Sequence, residues 1–288
     1  MVVSENIRGL CAMKYGILSY CTGNIGDDIQ SIAVSQFLPR VDVRVDRDQI
    51  KRYKTIDPTI VVMNSWITKN PKHWPPPKGI VPIYFGCCGG NEVFYSDKSL
   101  AHLSRYQPVG CRDIYTMYRL RAFGLKAYFS GCATAFIKPY SAELKKHIIF
   151  VDVQPTMEKL IPVEIRQKAV RVTNFISGVE NSSLQYDKAM EALRYYSSAK
   201  LIVTSRLHAA LPCIGMKIPV VVLIDPENIH NPYRWLGYEG LFRYFYWGDY
   251  IIRPADWENP QITTLPGWYE LNRLRLENEI KRVSSNYT

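Results

Sequence analysis

The chain has 288 residues, long for one domain and comfortable for two, and 47% of them are hydrophobic. With 22% charged residues and no low-complexity tract, the composition is globular, which excludes a disordered or fibrous chain. The formal charge of +10 favours acidic partners, but the basic residues are dispersed, and without a zinc finger, RNP-type strand or basic helical arm no nucleic acid is expected.

The first dozen residues carry Glu5 and Arg8 and no apolar core, so they read as a loose extension rather than a signal peptide. Residues 15–20 form a short buried strand, followed by a glycine turn and a helix over 29–38 with Ile29, Ala33 and Phe37 on one face. Strands are predicted at 59–63 and 80–85, each β-branched and ended by a turn signal, Asn64-Ser65 and Gly86. A helix over 115–123 closes on Gly124, and residues 127–129 lead to Ser130-Gly131-Cys132.

The pattern breaks at Lys138-Pro139-Tyr140 and a charged stretch with Lys145 and Lys146. It then restarts with a strand at 148–153, a helix at 188–198 and a strand at 201–204. A helix at 209–216, with Pro212 in its first turn, precedes a strand at 219–224. Residues 268–284 form an amphipathic closing helix expected to bury Leu271, Leu274 and Ile280. No apolar run is long enough to span a bilayer.

Strands that alternate with helices and read as continuous apolar runs indicate an α/β fold with parallel sheets covered on both faces. Because the alternation restarts, the expectation is two Rossmann-like domains, 13–140 and 147–265, with a closing helix at 266–288. Their parallel sheets face a central cleft, and ligands belong at the carboxyl ends of the strands.

Four segments at such ends carry candidate chemistry. Gly23, Asn24, Gly26 and Asp27 form the turn after the first strand, expected on the acceptor side. Two aspartates in the first helical turn suit an anion poorly, so Asp27 or Asp28 is a base for a sugar hydroxyl or a plain helix cap. Arg206 and His208 lie on the connection after strand 201–204, where a guanidinium fork can hold a carboxylate or phosphate and an imidazole can move a proton. Arg112 supplies a cation from the first half, and Arg234 a further one after strand 219–224.

Of the aromatic residues between Tyr233 and Tyr250, core packing is expected to claim most, with sugar stacking the alternative. Seven cysteines without CxxC spacing and five scattered histidines predict no metal site, and no partnered histidine is identified for the Cys87-Cys88 thiols.

Three motifs, GNIGDDIQ, then GCRD with SGC beyond it, then TSRLHAALPCIGMKIPVVV, together resemble the polysaccharide pyruvyl transferase family over residues 14–250. The third is the most specific. The resemblance implies a cytoplasmic enzyme with an architecture like that of GT-B glycosyltransferases, taking phosphoenolpyruvate as co-substrate and needing no cofactor. Pyruvate passes to two hydroxyls of a sugar as a cyclic ketal, and phosphate leaves. Donor-site roles are implied for Arg206, Leu207, His208 and Arg112, although this chain carries CRD where VRD is common.

On that scheme His208 is the expected proton donor and Asp28 the expected acceptor-side base. The acceptor is a sugar or oligosaccharide, polymeric or lipid-linked, with peripheral association at the inner membrane face left open. A nucleotide-sugar glycosyltransferase and an inactive sugar-binding scaffold are the alternatives. The former wants a ribose-holding acid, which the helix at 209–216 lacks.

Overall fold

The computed structural model describes residues 13–67, 71–140, 147–229 and 231–287. The expected extension before Met13 and the stretch with Lys145 and Lys146 lie outside them. The first sheet contains β1 (Lys14–Ser19), β2 (Val43–Asp46), β3 (Thr59–Val62) and β4 (Ile80–Ile83), all parallel in the order β2-β1-β3-β4. Helix α1 (Ile25–Ser35) connects its first two strands.

Helix α2 (Asp97–Leu103), β5 (Val109–Cys111), α3 (Ile114–Ala122) and β6 (Ala127–Phe129) follow, and β5 pairs with β6. Gly110 N donates to Tyr84 O at 3.0 Å and Cys87 N to Gly110 O at 3.1 Å, so this short pair prolongs the sheet beyond β4.

The second sheet is built from β7 (His147–Val151), β8 (Ala169–Val172), β9 (Ala199–Thr204), β10 (Val220–Ile224), β11 (Tyr244–Trp247) and β12 (Tyr250–Arg253). Its order is β12-β11-β10-β9-β7-β8, parallel except that β12 runs against β11. Helices α4 (Val163–Lys168), α5 (Ser182–Ser197) and α6 (Leu207–Gly215) connect its strands, and α7 (Gly267–Ser285) closes the chain. In both sheets the first strand lies between the second and third, so the winding reverses beside β1 and beside β7. A crevice opens at the carboxyl ends there.

The buried runs TIVV of β3 and VVVLI of β10 explain why these strands sit centrally with both faces covered. Helix α6 begins at Leu207, so Pro212 lies in its interior rather than in the first turn. A proline ring crowds the carbonyl four residues earlier, here that of His208, and His208 departs from helical geometry at φ −89°, ψ 16°.

In α7 the buried stripe is Tyr269, Asn272, Leu276, Ile280 and Val283. Leu271 and Leu274 point outward, contrary to expectation. Asn272 takes an inward place because its amide donates to the carbonyls of Phe129 at 3.0 Å and Ser130 at 3.3 Å. One apolar core joins the sheets: Ile17, Ile29, Phe85, Ile149, Leu211 and Val222 belong to a single cluster that α7 completes through Tyr269 and Ile280.

Candidate active site

Loops at the carboxyl ends of strands in both sheets meet around a cavity of about 260 Å³ lined by Thr22, Asn24, Asp27, Arg47, Trp66, Gly90, Arg112, His208, Asn231 and Arg234. Two hydrogen bonds stitch the turn after β1 to the loop before α5: Ile176 N donates to Gly23 O at 2.7 Å, and Ile25 N to Asn174 O at 3.0 Å. Gly23 has φ +75°, and a Cβ there would lie 2.4 Å from Ile176 O, so its role is this close approach. Asn24 caps α1, accepting from Gly26 N. A Cβ on Gly26 would lie 3.2 Å from His208 Cβ, so the missing side chain makes room for the histidine.

The two aspartates of α1 part company. Asp27 faces the cavity and accepts from Thr22 Oγ1 at 3.1 Å, from Asn24 Nδ2 and Gln30 Nε2 at 3.4 Å, and from Arg47 Nη1 at 3.5 Å. Asp28 turns to α5, where Gln185 Nε2 donates to its Oδ2 at 2.5 Å and its Oδ1 is enclosed without a partner. Burial pushes this carboxyl up to about 7.

Arg112 is 2% exposed, carried past β5 while the neighbouring Asp113 caps α3. Its Nη1 donates to Gln30 Oε1 at 2.9 Å and to His208 Nε2 at 3.4 Å. Since a guanidinium only donates, this places the neutral ring's proton on Nδ1. Burial first, then Arg112 and Arg234, hold the His208 pKa well below its ordinary value. Arg234 is lowered to about 10 by burial and by Arg112.

Neither Arg112 nor Arg234 pairs with a carboxylate among the described residues, and the Nε of each is enclosed without a partner. Arg47, by contrast, is forked onto Asp48 at 2.8 and 3.1 Å. Asn231 adopts a left-handed conformation, φ 61°, and its Oδ1 is also enclosed without a partner among the described residues.

Of the residues predicted from sequence, the fold brings Asn24, Asp27, Arg112, His208 and Arg234 to this cavity and places Arg206, Leu207, Gly23, Gly26 and Asp28 outside its lining. Arg206 is half-exposed and donates from Nε to Asp152 at 2.9 Å, although its charge is felt at Arg234. Leu207 is core.

Thr22, Arg47, Trp66 and Asn231 are additions to the predicted set. Position at a strand's carboxyl end was the one signal available for Trp66. Trp235, Tyr238, Phe242 and Phe245 pack in the core, and none lines the cavity. Cys132 Sγ lies 3.9 Å from His208 Nε2, a neighbour the sequence did not reveal, while burial pushes the Cys88 thiol up to about 12 and keeps it protonated. No helix among the described residues is long and apolar enough to cross a membrane.

A family model described as polysaccharide pyruvyl transferase matches residues 24–225, more than half of the chain. No curated protein matches significantly. Solved structures show a weak likeness. An uncharacterized protein from Klebsiella pneumoniae is 10% identical over 78% of this chain and 88% of its own, with a TM-score of 0.41. A UDP-N-acetylglucosamine 2-epimerase is 10% identical over 95% and 91%, with 0.42. A variant of the wall teichoic acid polymerase TagF is 10% identical over 95% and 83%, with 0.41. Likeness at this level decides nothing about function.

Proposed function

This chain belongs to the polysaccharide pyruvyl transferase family, and from that premise we propose that it moves pyruvate from phosphoenolpyruvate onto two hydroxyls of one sugar residue as a cyclic ketal, in the cavity of Arg112, His208 and Arg234. The observation that carries this reading is the pair of guanidiniums facing one cavity with neither ion-paired to a carboxylate among the described residues, Asp27 acting on Arg234 only from beyond pairing distance. Buried charges are ordinarily paired, so two unanswered cations call for an anionic ligand. Phosphoenolpyruvate offers a phosphate and a carboxylate. At about 260 Å³ the cavity suits so small a donor better than a nucleotide-diphosphate sugar.

In the proposed reaction the donor draws Arg112 away from His208 Nε2, and its negative charge raises the imidazole pKa until the ring is protonated. His208 then gives its proton to the methylene carbon, leaving the neighbouring carbon with oxocarbenium character. One sugar hydroxyl bonds to that carbon while its proton passes to Asp27. The carbon–oxygen bond to phosphate breaks, and the leaving phosphate keeps the electron pair and takes the proton from Asp27. The second hydroxyl closes the ketal and returns its proton to His208. Arg112 and Arg234 hold the carboxylate and phosphate throughout.

Thermal shift tests the donor. Phosphoenolpyruvate should raise the melting temperature and UDP-sugars should not. Arg234→Ala should remove most of the shift, because a charge-assisted hydrogen bond is worth about 1.5–3 kcal/mol. Arg206→Ala should keep it. Stabilisation by a UDP-sugar alone would overturn the assignment.

A further inference from the structure

Among the described residues Trp66 is the one tryptophan, tyrosine or phenylalanine in the cavity lining, and its setting is unlike that of the aromatic core. Its sequence neighbours Ser65 and Ile67 are fully buried, while Trp66 stays half-buried at the cavity wall. The backbone there is clamped to the loop beyond β4: Ile67 N donates to Cys88 O at 3.0 Å, and Cys88 N to Ser65 O at 2.9 Å.

The indole itself is also fixed. A Cβ on Gly90 would lie 1.3 Å from Trp66 Nε1, so only glycine lets the ring rest against that loop. The Arg47 guanidinium, immobilised by Asp48, stands 5.7 Å from the ring centroid. This holds a large apolar surface rigid at the edge of a strongly polar cavity, with Asp27 and the two unanswered arginines among its other walls. The donor, charged at both ends, has no use for such a surface. A pyranose does: its C–H face is apolar and its hydroxyls radiate from the rim.

We propose that Trp66 is the platform for the acceptor, a pyranose ring lying with its apolar face on the indole and two hydroxyls turned towards the donor. The assignment of donor and acceptor sides rests on the function proposed above, whereas the stacking itself does not.

The chain has six tryptophans, and Trp66 alone lines the cavity, so its fluorescence reports the site. Methyl hexopyranosides, offered with phosphoenolpyruvate present, should change the emission of the wild type, and sorbitol, with hydroxyls but no ring, should not. Trp66→Phe should lose the emission change yet keep pyranoside-induced thermal stabilisation. Trp66→Ala should lose both and raise the acceptor KM at least tenfold. In both variants the thermal shift given by phosphoenolpyruvate should persist, which also shows that they fold.

An emission change that survives in Trp66→Phe, or no change in the wild type, overturns the platform. So does a Trp66→Ala protein that binds pyranosides normally or loses the donor shift. A wild type that ignores phosphoenolpyruvate but still reports pyranosides through Trp66 would sink the donor assignment and leave the platform standing.

Discussion

At the residue scale, the contact of Arg112 Nη1 with His208 Nε2 at 3.4 Å requires a neutral imidazole. The ring's pKa is held well below its ordinary 6.5 by burial and then by Arg112 and Arg234. A donor anion lying between those arginines offsets the second and third causes, so the pKa rises in the complex. Donor binding at neutral pH is therefore expected to take up a proton, and donor affinity to fall as pH rises through the His208 pKa of the complex. Calorimetry in buffers of different ionisation enthalpy measures the uptake. His208→Gln should abolish it and lower turnover by roughly 10²–10⁴-fold. Uptake that survives in that variant assigns the proton to another group. Much of this site was legible because GNIG, CRD and RLH lie at strand ends. Arg47 was not, since it follows β2, an edge strand whose VRVD sequence gives no apolar run.

At the scale of elements, α1 and α5 meet through Gln185, which accepts from Thr22 N and Gly23 N and donates to Asp28. The Asp28 carboxyl ionises with difficulty there, its pKa raised from 3.8 to about 7 by burial. A group raised on folding stabilises fully below its unfolded pKa, and that contribution is lost as pH rises through the folded value. Asp28→Asn should therefore match the wild type near pH 4 and exceed it above pH 7, by on the order of a few kcal/mol. Melting temperatures across that range measure the difference, and a gap that does not change with pH would refute the assignment. The sequence marked Asp28 as a candidate base because adjacent aspartates look alike on paper. Neighbouring helix positions are about 100° apart, so only one of the pair can face the cavity. The central strands were readable as apolar runs, whereas β5, β6 and β8 are short or exposed, with too little periodicity to detect. In α7 the inward stripe contains a tyrosine and an asparagine, so the leucines misled.

At the scale of the whole molecule, the restart of the strand–helix pattern suggests two independent halves, yet the apolar cluster that holds Ile29 and Phe85 also holds Ile149 and Val222. Helix α7 follows the second sheet and returns to the first. Tyr269 Oη accepts from Cys132 N at 2.8 Å and donates to Cys132 O at 2.9 Å, and Tyr15 Oη donates to Ser284 Oγ at 3.0 Å. Cys132 in turn lies beside His208, so the closing helix braces the wall of the cavity. Each sheet packs one face in a cluster of its own half, around Val61 and Met63 in the first and Val203 and Leu223 in the second, but their other faces share one core that α7 completes, which predicts unfolding in one transition. Amides of β3 and β10 should then exchange with the same opening free energy, and a bound donor should raise both together. Tyr269→Leu keeps apolar bulk but strands the buried Cys132 N–H, at about 1–3 kcal/mol, while the Cys132 carbonyl keeps the Ala135 N–H at 3.2 Å. It should lower the protection of both strands equally. Two calorimetric transitions, or a loss of protection confined to β3, would mean that the halves fold separately and that α7 is only a surface brace.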